Sequence, residues 1–343
     1  MSLMIPDVMT IPKFLGNGKI DYSEKPVPTP GPGQLLLQVK ANALCGSERG
    51  QFYNGSEATP GHEAAGIVVA AGSNTKTDVG THGVVFLMDF CGQCRSCKRG
   101  YTNQCLSKRA DYGFSHDGGY GPYMVVNENV FFAVDAAIPL AEATILLDIM
   151  GTGGHTIRRA QLVHGDIESI LIAGAGPIGL AVLAMAKLLL GKELPVFIMD
   201  FTPYRLELAQ KMGAIPIHLG ETTLEAGLAA EGFDRIDAAF DTSGRTTARE
   251  AALHALNHRG VLVCIGHGEQ LNLQVSSDLI ATERAVLGSE YFPFSELEAN
   301  HRLMGEHLPY LSQIITHRFG PQSMQEAFEL FFKGDTGKVV IEQ

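Results

Sequence analysis

The sequence predicts an α/β protein in which a β-rich domain carries an inserted, doubly wound parallel-sheet domain. Three observations carry this. Short β-prone runs separated by Gly, Pro, Ser and Asn fill residues 30–135. A strand–helix–strand rhythm then runs from about residue 169 to residue 265. Within that rhythm a glycine loop stands directly between a strand and a helix.

In the first region, Gln34–Lys40, Ala64–Ala70 and Gly83–Leu87 read as strands, with further strand-like segments over Tyr120–Val134 and no long helical period. The pattern changes near residue 140. Ser169–Ala173 reads as a buried strand, Ile178–Leu190 as an apolar helix and Val196–Asp200 as a second strand. Tyr204–Met212 reads as a helix capped by Gly213. Ile236–Asp241, Thr246–Asn257 and Val261–Ile265 repeat strand, helix and strand, which predicts a parallel sheet. After about Gly288 the rhythm stops. One helix over Gln322–Lys333 and a last strand over Gly337–Ile341 are expected there. The domains are therefore set at 1–149 with 289–343, and 150–288.

The length of 343 residues suits two domains. A net charge of −11 argues against a phosphate-coated polymer, so no nucleic-acid partner is expected. A small anion is not excluded, because backbone amides bind phosphate without a basic surface. No apolar run of about 18 residues is present, so no membrane partner is expected. The start lacks a basic flank and an apolar core and does not read as a signal peptide. Four of the six cysteines fall between Cys91 and Cys105, a spacing better suited to metal in a reducing cytoplasm than to a secreted disulfide framework.

Gly174-Ala-Gly176-Pro177-Ile178-Gly179 follows a strand and opens a helix. Gly174 permits a tight turn, Gly176 lets backbone approach a pyrophosphate, and Gly179 lets helix and strand pack closely. Free amides at the helix start, through Pro177 and Ile178, face the phosphates. A plain strand–helix turn is the competing reading. Asp200 ends the next strand, 21 residues after Gly179. A carboxylate there accepts ribose hydroxyls and repels a 2′-phosphate, favouring NAD over NADP. Arg205 is either a second ribose or adenine contact or a solvated helix residue.

Cys91, Cys94, Cys97 and Cys105 have the spacing of a closed, four-thiolate structural zinc site, with disulfides or free thiols as the alternative. Cys45-Gly-Ser47-Glu48 and Pro60-Gly-His62-Glu63 place a thiolate and an imidazole beside glycine turns, two candidate ligands of a second zinc.

These motifs, in this order, resemble the zinc-dependent medium-chain dehydrogenase/reductase family of alcohol and polyol dehydrogenases, over essentially the whole chain. The resemblance implies a GroES-like catalytic domain with an inserted Rossmann domain, and the two separate ligand sets predict two zinc ions per chain. It also implies that Cys45 and His62 bind the catalytic zinc. In that family the third ligand is commonly a cysteine; the matching residue here is Asp148, as in bacterial secondary alcohol dehydrogenases. A carboxylate is an acceptable zinc ligand at about 2.0–2.2 Å, and a helix cap is the other reading of Asp148. The resemblance further implies Glu63 as a transient fourth ligand, Ser47 as acceptor of the hydroxyl proton and Thr152 as a contact on the nicotinamide side. It also implies a homodimer or homotetramer.

The sequence departs from the family in several places. Glu48 stands where Asp is usual. Gly50 replaces a histidine that often relays the proton. His62 follows Cys45 by only 17 positions, and Gly121-Pro122-Tyr123 departs from the usual small-Glu-Tyr. Lys338 matches a basic position near the zinc and either pairs with Glu63 or is solvated. His116 either lines the pocket or sits on a loop.

The expected function is transfer of a hydride between a secondary alcohol, polyol or sugar-like hydroxyl and NAD in the cytoplasm. The alternatives are a carbonyl reductase of the same family and a non-catalytic NAD-binding sensor or structural protein. A pure binder needs no open zinc, so the trio Cys45, His62 and Asp148 speaks for an enzyme.

Overall fold

A computed structural model describes residues 4–343. It divides into two compact units. One comprises the chain through Leu147 with Pro293–Lys333 and Lys338–Gln343. The other comprises Asp148–Phe292 with Gly334–Gly337.

The second unit is built on a six-stranded parallel sheet. Its order is Ile215–His218, Val196–Asp200, Ile170–Ala173, Ile236–Asp241, Leu256–Cys264 and Ala285–Gly288. The chain winds outward from Ile170–Ala173 in one direction and from Ile236–Asp241 in the other. The order therefore reverses between these two strands, and ligands of such sheets bind outside the strand ends at that point. Ile170–Ala173 is buried throughout, as a strand covered on both faces requires. The helix Pro177–Leu189 buries every residue from Gly179 to Ala186, so it is a core helix and not a surface one.

The first unit holds a seven-stranded sheet. The strands Gln34–Ala43, Ala64–Ala71, His82–Val85 and Phe131–Ala133 follow one another antiparallel, and Tyr123–Asn127 also pairs with Gln34–Ala43. The last strand, Lys338–Glu342, returns to pair with Gln34–Ala43. The helix Met324–Lys333 drives Phe328 and Phe331 into a core shared with Phe14, Phe52 and Tyr120.

Several elements differ from the sequence expectation. A hairpin of Val8–Gly16 and Lys19–Pro26 precedes the first predicted strand. A helical segment, Glu296–Leu311, kinked at His307, fills the stretch where the rhythm was expected to stop. Gly305 and Pro309 lie inside it and His307 takes a non-helical conformation (φ −127°, ψ 18°), so its local signal reads as broken. The helix predicted to Asn257 stops at His254, because the strand already begins at Leu256.

Candidate active site and metal lobe

Two ladder pairs, Met88 with Asp111 and Asp89 with Ala110, pin the ends of the loop that carries the four clustered cysteines. Asp89, fully buried, accepts from Arg109 at 2.6 Å and from Asn127 at 2.5 Å, which fixes the base of the lobe. Above it, backbone amides converge on sulfur. Cys91 Sγ accepts from Gln93 and Cys94 (3.4 and 3.3 Å), Cys94 Sγ from Cys97 and Leu106 (3.5 and 3.4 Å), and Cys105 Sγ from Cys91 and Ser107 (3.3 and 3.4 Å). Amide donation favours the thiolate: the Cys97 and Leu106 amides hold Cys94 down at about 6, and the Gln93 and Cys94 amides lower Cys91. Burial, and then the adjacent Cys94 and Cys105 sulfurs, push Cys97 up to about 12. All four sulfurs lie within 4.8 Å of one another and none is in a disulfide. Crowded sulfurs of opposed proton affinity fit a single cation that would make all four thiolates.

Within the first unit, Cys45, His62 and Glu63 form a second ligand group, whose donor atoms also lie within 4.8 Å of one another. Cys45 precedes the short turn Gly46–Glu48, just beyond the strand Gln34–Ala43. His62 and Glu63 lead into the strand Ala64–Ala71. Gly61 makes their approach feasible: its φ is +104° and a Cβ would stand 2.7 Å from the Tyr120 amide. Asp148 opens the buried π-helical turn Asp148–Thr152, a local irregularity often found at functional sites.

Supporting residues orient these groups. Glu48 Oε1 lies 3.0 Å from His62 Nδ1, and both side chains are buried. With the proton on Nδ1, Nε2 keeps its lone pair for a metal. Glu48 Oε2 accepts from the Tyr120 hydroxyl at 2.7 Å and from the Cys45 amide at 3.2 Å. Burial, then the Glu48 charge, raise the Tyr120 phenol well above its ordinary value, so it remains a donor. Lys338 is 1% exposed and donates to Glu63 Oε1, which decides between its two sequence readings. Cys45 and Glu63 thus stand together with Lys338 beside Glu63. A soft sulfur, an imidazole and a carboxylate in one place fit a zinc ion. Phe114 packs over the His62 ring, with centroids 5.0 Å apart.

Ser47 lies exposed on the turn between Cys45 and Glu48. A Cβ at Gly50 would meet nothing within 4 Å, so the position that lacks the usual histidine opens to water. His116 is exposed and bonds Ser115 on its loop, outside the ligand group. Sequence reasoning missed Tyr120; its partner stands 72 positions away and no local pattern announces it.

In the second unit, Gly174 has φ +99° and a Cβ at Gly179 would stand 1.9 Å from the Gly174 carbonyl oxygen, so that contact excludes any side chain. Pro177 is the first helical residue, followed by Ile178. Asp200 ends its strand at the same edge and accepts from the Ala175 amide at 2.7 Å and from the amides of Phe201 and Thr202 at 2.7 and 2.9 Å. The Arg205 guanidinium reaches back to the loop: a Cβ at Gly176 would be 3.8 Å from its Nη1. Its buried Nε has no hydrogen-bond partner among the described residues. Thr152 is buried at the end of the π-helical turn.

Comparison with known proteins identifies the two domains. Residues 31–136 match the alcohol dehydrogenase GroES-like domain, and residues 177–306 match the zinc-binding dehydrogenase domain. The L-threonine 3-dehydrogenase of Saccharopolyspora erythraea is 30% identical over 340 residues, covering 94% of this chain and 95% of that protein. The chain belongs to the zinc-dependent medium-chain dehydrogenase/reductase family. Another member, the zinc-type alcohol dehydrogenase-like protein YphC of Escherichia coli K12, is 29% identical over 344 residues, covering 95% of this chain and 96% of that protein. Among solved structures, the E. coli CFT073 alcohol dehydrogenase rspB, complexed with cofactor NADH, superposes with a TM-score of 0.89 at 22% identity. The match covers 98% of this chain and all of that one. The two units are thus the family's GroES-like and Rossmann folds. No helix among the described residues is long and apolar enough to cross a membrane.

Proposed function

We propose that this family member is an NAD-dependent dehydrogenase that transfers hydride between a secondary alcohol, polyol or sugar-like hydroxyl and NAD. The observation that carries the reading is the convergence of Cys45, His62 and Glu63, backed by a Glu48 that presets the His62 tautomer. In this reading each chain holds two zinc ions, one on Cys91, Cys94, Cys97 and Cys105 and one on Cys45, His62 and Asp148, with Glu63 as the exchangeable fourth ligand. Bound zinc would supply Lewis acidity to the alcohol oxygen, and bound NAD the hydride acceptor.

The chain's own residues do the rest. Ser47 accepts the hydroxyl proton and, from its exposed turn beside Gly50, passes it to water. Lys338 holds Glu63 at one oxygen and so limits how far its carboxylate swings. Thr152 contacts the nicotinamide side. Gly174, Gly176, Pro177, Ile178 and Gly179 present backbone to the pyrophosphate. Asp200 uses its remaining lone pairs for the ribose hydroxyls, which favours NAD over NADP. Arg205, whose Nη1 would lie 3.8 Å from a Cβ at Gly176, supplies the second ribose or adenine contact. The reading extends to a cytoplasmic homodimer or homotetramer. Its support is the family resemblance and four clustered thiols in no disulfide.

The test is metal analysis together with NAD(P) reduction across secondary alcohols, polyols and L-threonine, the last because a 30% identical relative is named for it. Two zinc ions with NAD reduction by a secondary hydroxyl is the expected outcome. A fully metallated protein that reduces neither cofactor with any of them, nor oxidises NADH with the matching ketones, would overturn the assignment.

A further inference from the structure

The two glycine-rich loops that follow the strands Ile236–Asp241 and Leu256–Cys264 meet backbone to backbone. The Glu269 amide donates to the Gly244 carbonyl at 2.8 Å, and the amides of Ile265 and Gly266 both donate to the Asp241 carbonyl at 2.9 Å. A Cβ at Gly244 would stand 2.1 Å from the His267 carbonyl oxygen, and one at Gly266 2.5 Å from the Gly244 amide nitrogen. One buried ion pair ties both loops. Asp241 is fully buried; its Oδ1 accepts from the amides of Ser243 and Gly244 (3.0 and 3.1 Å) and from the Ser243 hydroxyl (2.7 Å). Its Oδ2 accepts from Arg249 Nε at 2.6 Å. The rest of the Arg249 guanidinium crosses to the other loop, donating to the carbonyls of Gly266 and Glu269.

The tie reaches the phosphate loop. Thr242, next to Asp241, donates from its amide to the Ala173 carbonyl at 3.0 Å, and its hydroxyl lies 3.0 Å from the Ala173 and Gly174 carbonyls. Thus the loops 242–245 and 266–269 are joined through one carboxylate–guanidinium pair, and Thr242 links the first of them to Gly174 at the edge of the sheet where its order reverses. A buried ion pair adds little to stability over an apolar pair of equal size. What the planar fork supplies is direction: three donors in one plane hold two separate loops at a set spacing.

We infer that Asp241 and Arg249 are positioning residues, a latch that presets the loops around the NAD site so that cofactor binding need not order them. This rests on the proposed NAD-binding reading of the glycine loop.

The experiment compares wild type, Arg249→Met and Arg249→Lys as the zinc-loaded full chain. It reads the dissociation constant for NADH by fluorescence, KM for NAD and kcat separately, and melting temperature. Methionine keeps the apolar stem without the fork; lysine can meet Asp241 but not both carbonyls. Expected for each folded variant is at least about tenfold weaker NADH binding and a matching rise in KM, because loop ordering now opposes binding. At saturating NAD, kcat should stay within about threefold, and lysine should not rescue. NADH affinity equal to wild type in either variant, even with a lowered melting temperature, overturns the latch and leaves a structural pair. If Arg249→Met does not fold, Arg249→Lys alone decides by the same measure. Wild type that binds no NADH overturns the cofactor reading itself, a result distinct from the other two.

Discussion

Replacing Glu48 by glutamine tests the orientation of His62 most sharply. The carboxylate takes three hydrogen bonds, from His62 Nδ1 at 3.0 Å, the Tyr120 hydroxyl at 2.7 Å and the Cys45 amide at 3.2 Å, and is fully buried. A glutamine amide has one acceptor oxygen. If that oxygen stays with Tyr120 and Cys45, the amide NH2 faces Nδ1, drives the imidazole proton to Nε2 and blocks the lone pair a metal needs. If it faces His62, the NH2 confronts the Cys45 N–H, which then loses its acceptor. Either way one hydrogen bond to a charged group is lost, worth about 1.5–3 kcal/mol, or about 10- to 150-fold in affinity. Chelator competition should therefore show one of two bound zinc ions weakened about 10- to 100-fold, with the cysteine-lobe zinc unchanged as internal control. Turnover should fall with occupancy. Glu48→Asp, shorter by about 1.5 Å, should reach His62 or the Tyr120–Cys45 pair but not both, with a smaller loss. Glu48→Gln protein that holds both zinc ions within about threefold of wild-type affinity and turns over normally would refute the reasoning.

Other outcomes follow from the same geometry. Asp148→Asn should lower kcat by at least about 100-fold while NADH affinity survives; near-normal turnover with full zinc would leave Asp148 a helix cap and make Glu63 the better third ligand. Cys94→Ser should leave one zinc per chain by elemental analysis and lower the melting temperature, since a closed structural site contributes folding energy; loss of both ions, or of neither, would break the two-site assignment. Asp200→Ala should reduce kcat/KM for NAD about tenfold or more through lost charged hydrogen bonds and narrow the preference over NADP. A wild type that already prefers NADP would show Asp200 to be misread.

The parts of the fold and site legible in the sequence were those whose chemistry is local. A cluster from Cys91 to Cys105 and a loop from Gly174 to Gly179 declare themselves because chelation and a tight strand–helix turn depend on neighbours a few positions away. Four strands of the inserted parallel sheet were legible for the same reason, as short apolar runs bounded by turn residues, whereas its edge strands Ile215–His218 and Ala285–Gly288 were not read. Asp148 and Lys338 entered only through family register, since neither sits in a pattern of its own. The helical segment Glu296–Leu311 was not legible, because Gly305 and Pro309 interrupt its pattern; the chain kinks between them at His307, while Leu297, Met304 and Leu311 are buried.

Glu48 shows why the remainder of the site stayed hidden. Read locally, a glutamate in place of the usual aspartate alters only the reach of the group behind His62. In the fold, the extra length has a partner: Oε2 is taken up by Tyr120 and by the Cys45 amide, which leaves Oε1 at hydrogen-bond distance from His62 Nδ1. The substitution and its compensation lie on segments far apart in the chain. Arg249 repeats the point. On its own helix it reads as one more basic residue, and only the meeting of the 266–269 loop with the end of the strand Ile236–Asp241 shows what its guanidinium holds. Ligands and phosphate loops are written in spacing, whereas the side chains that aim them are written in tertiary contacts. A change judged disruptive at its own position therefore has to be judged against the residue that receives it.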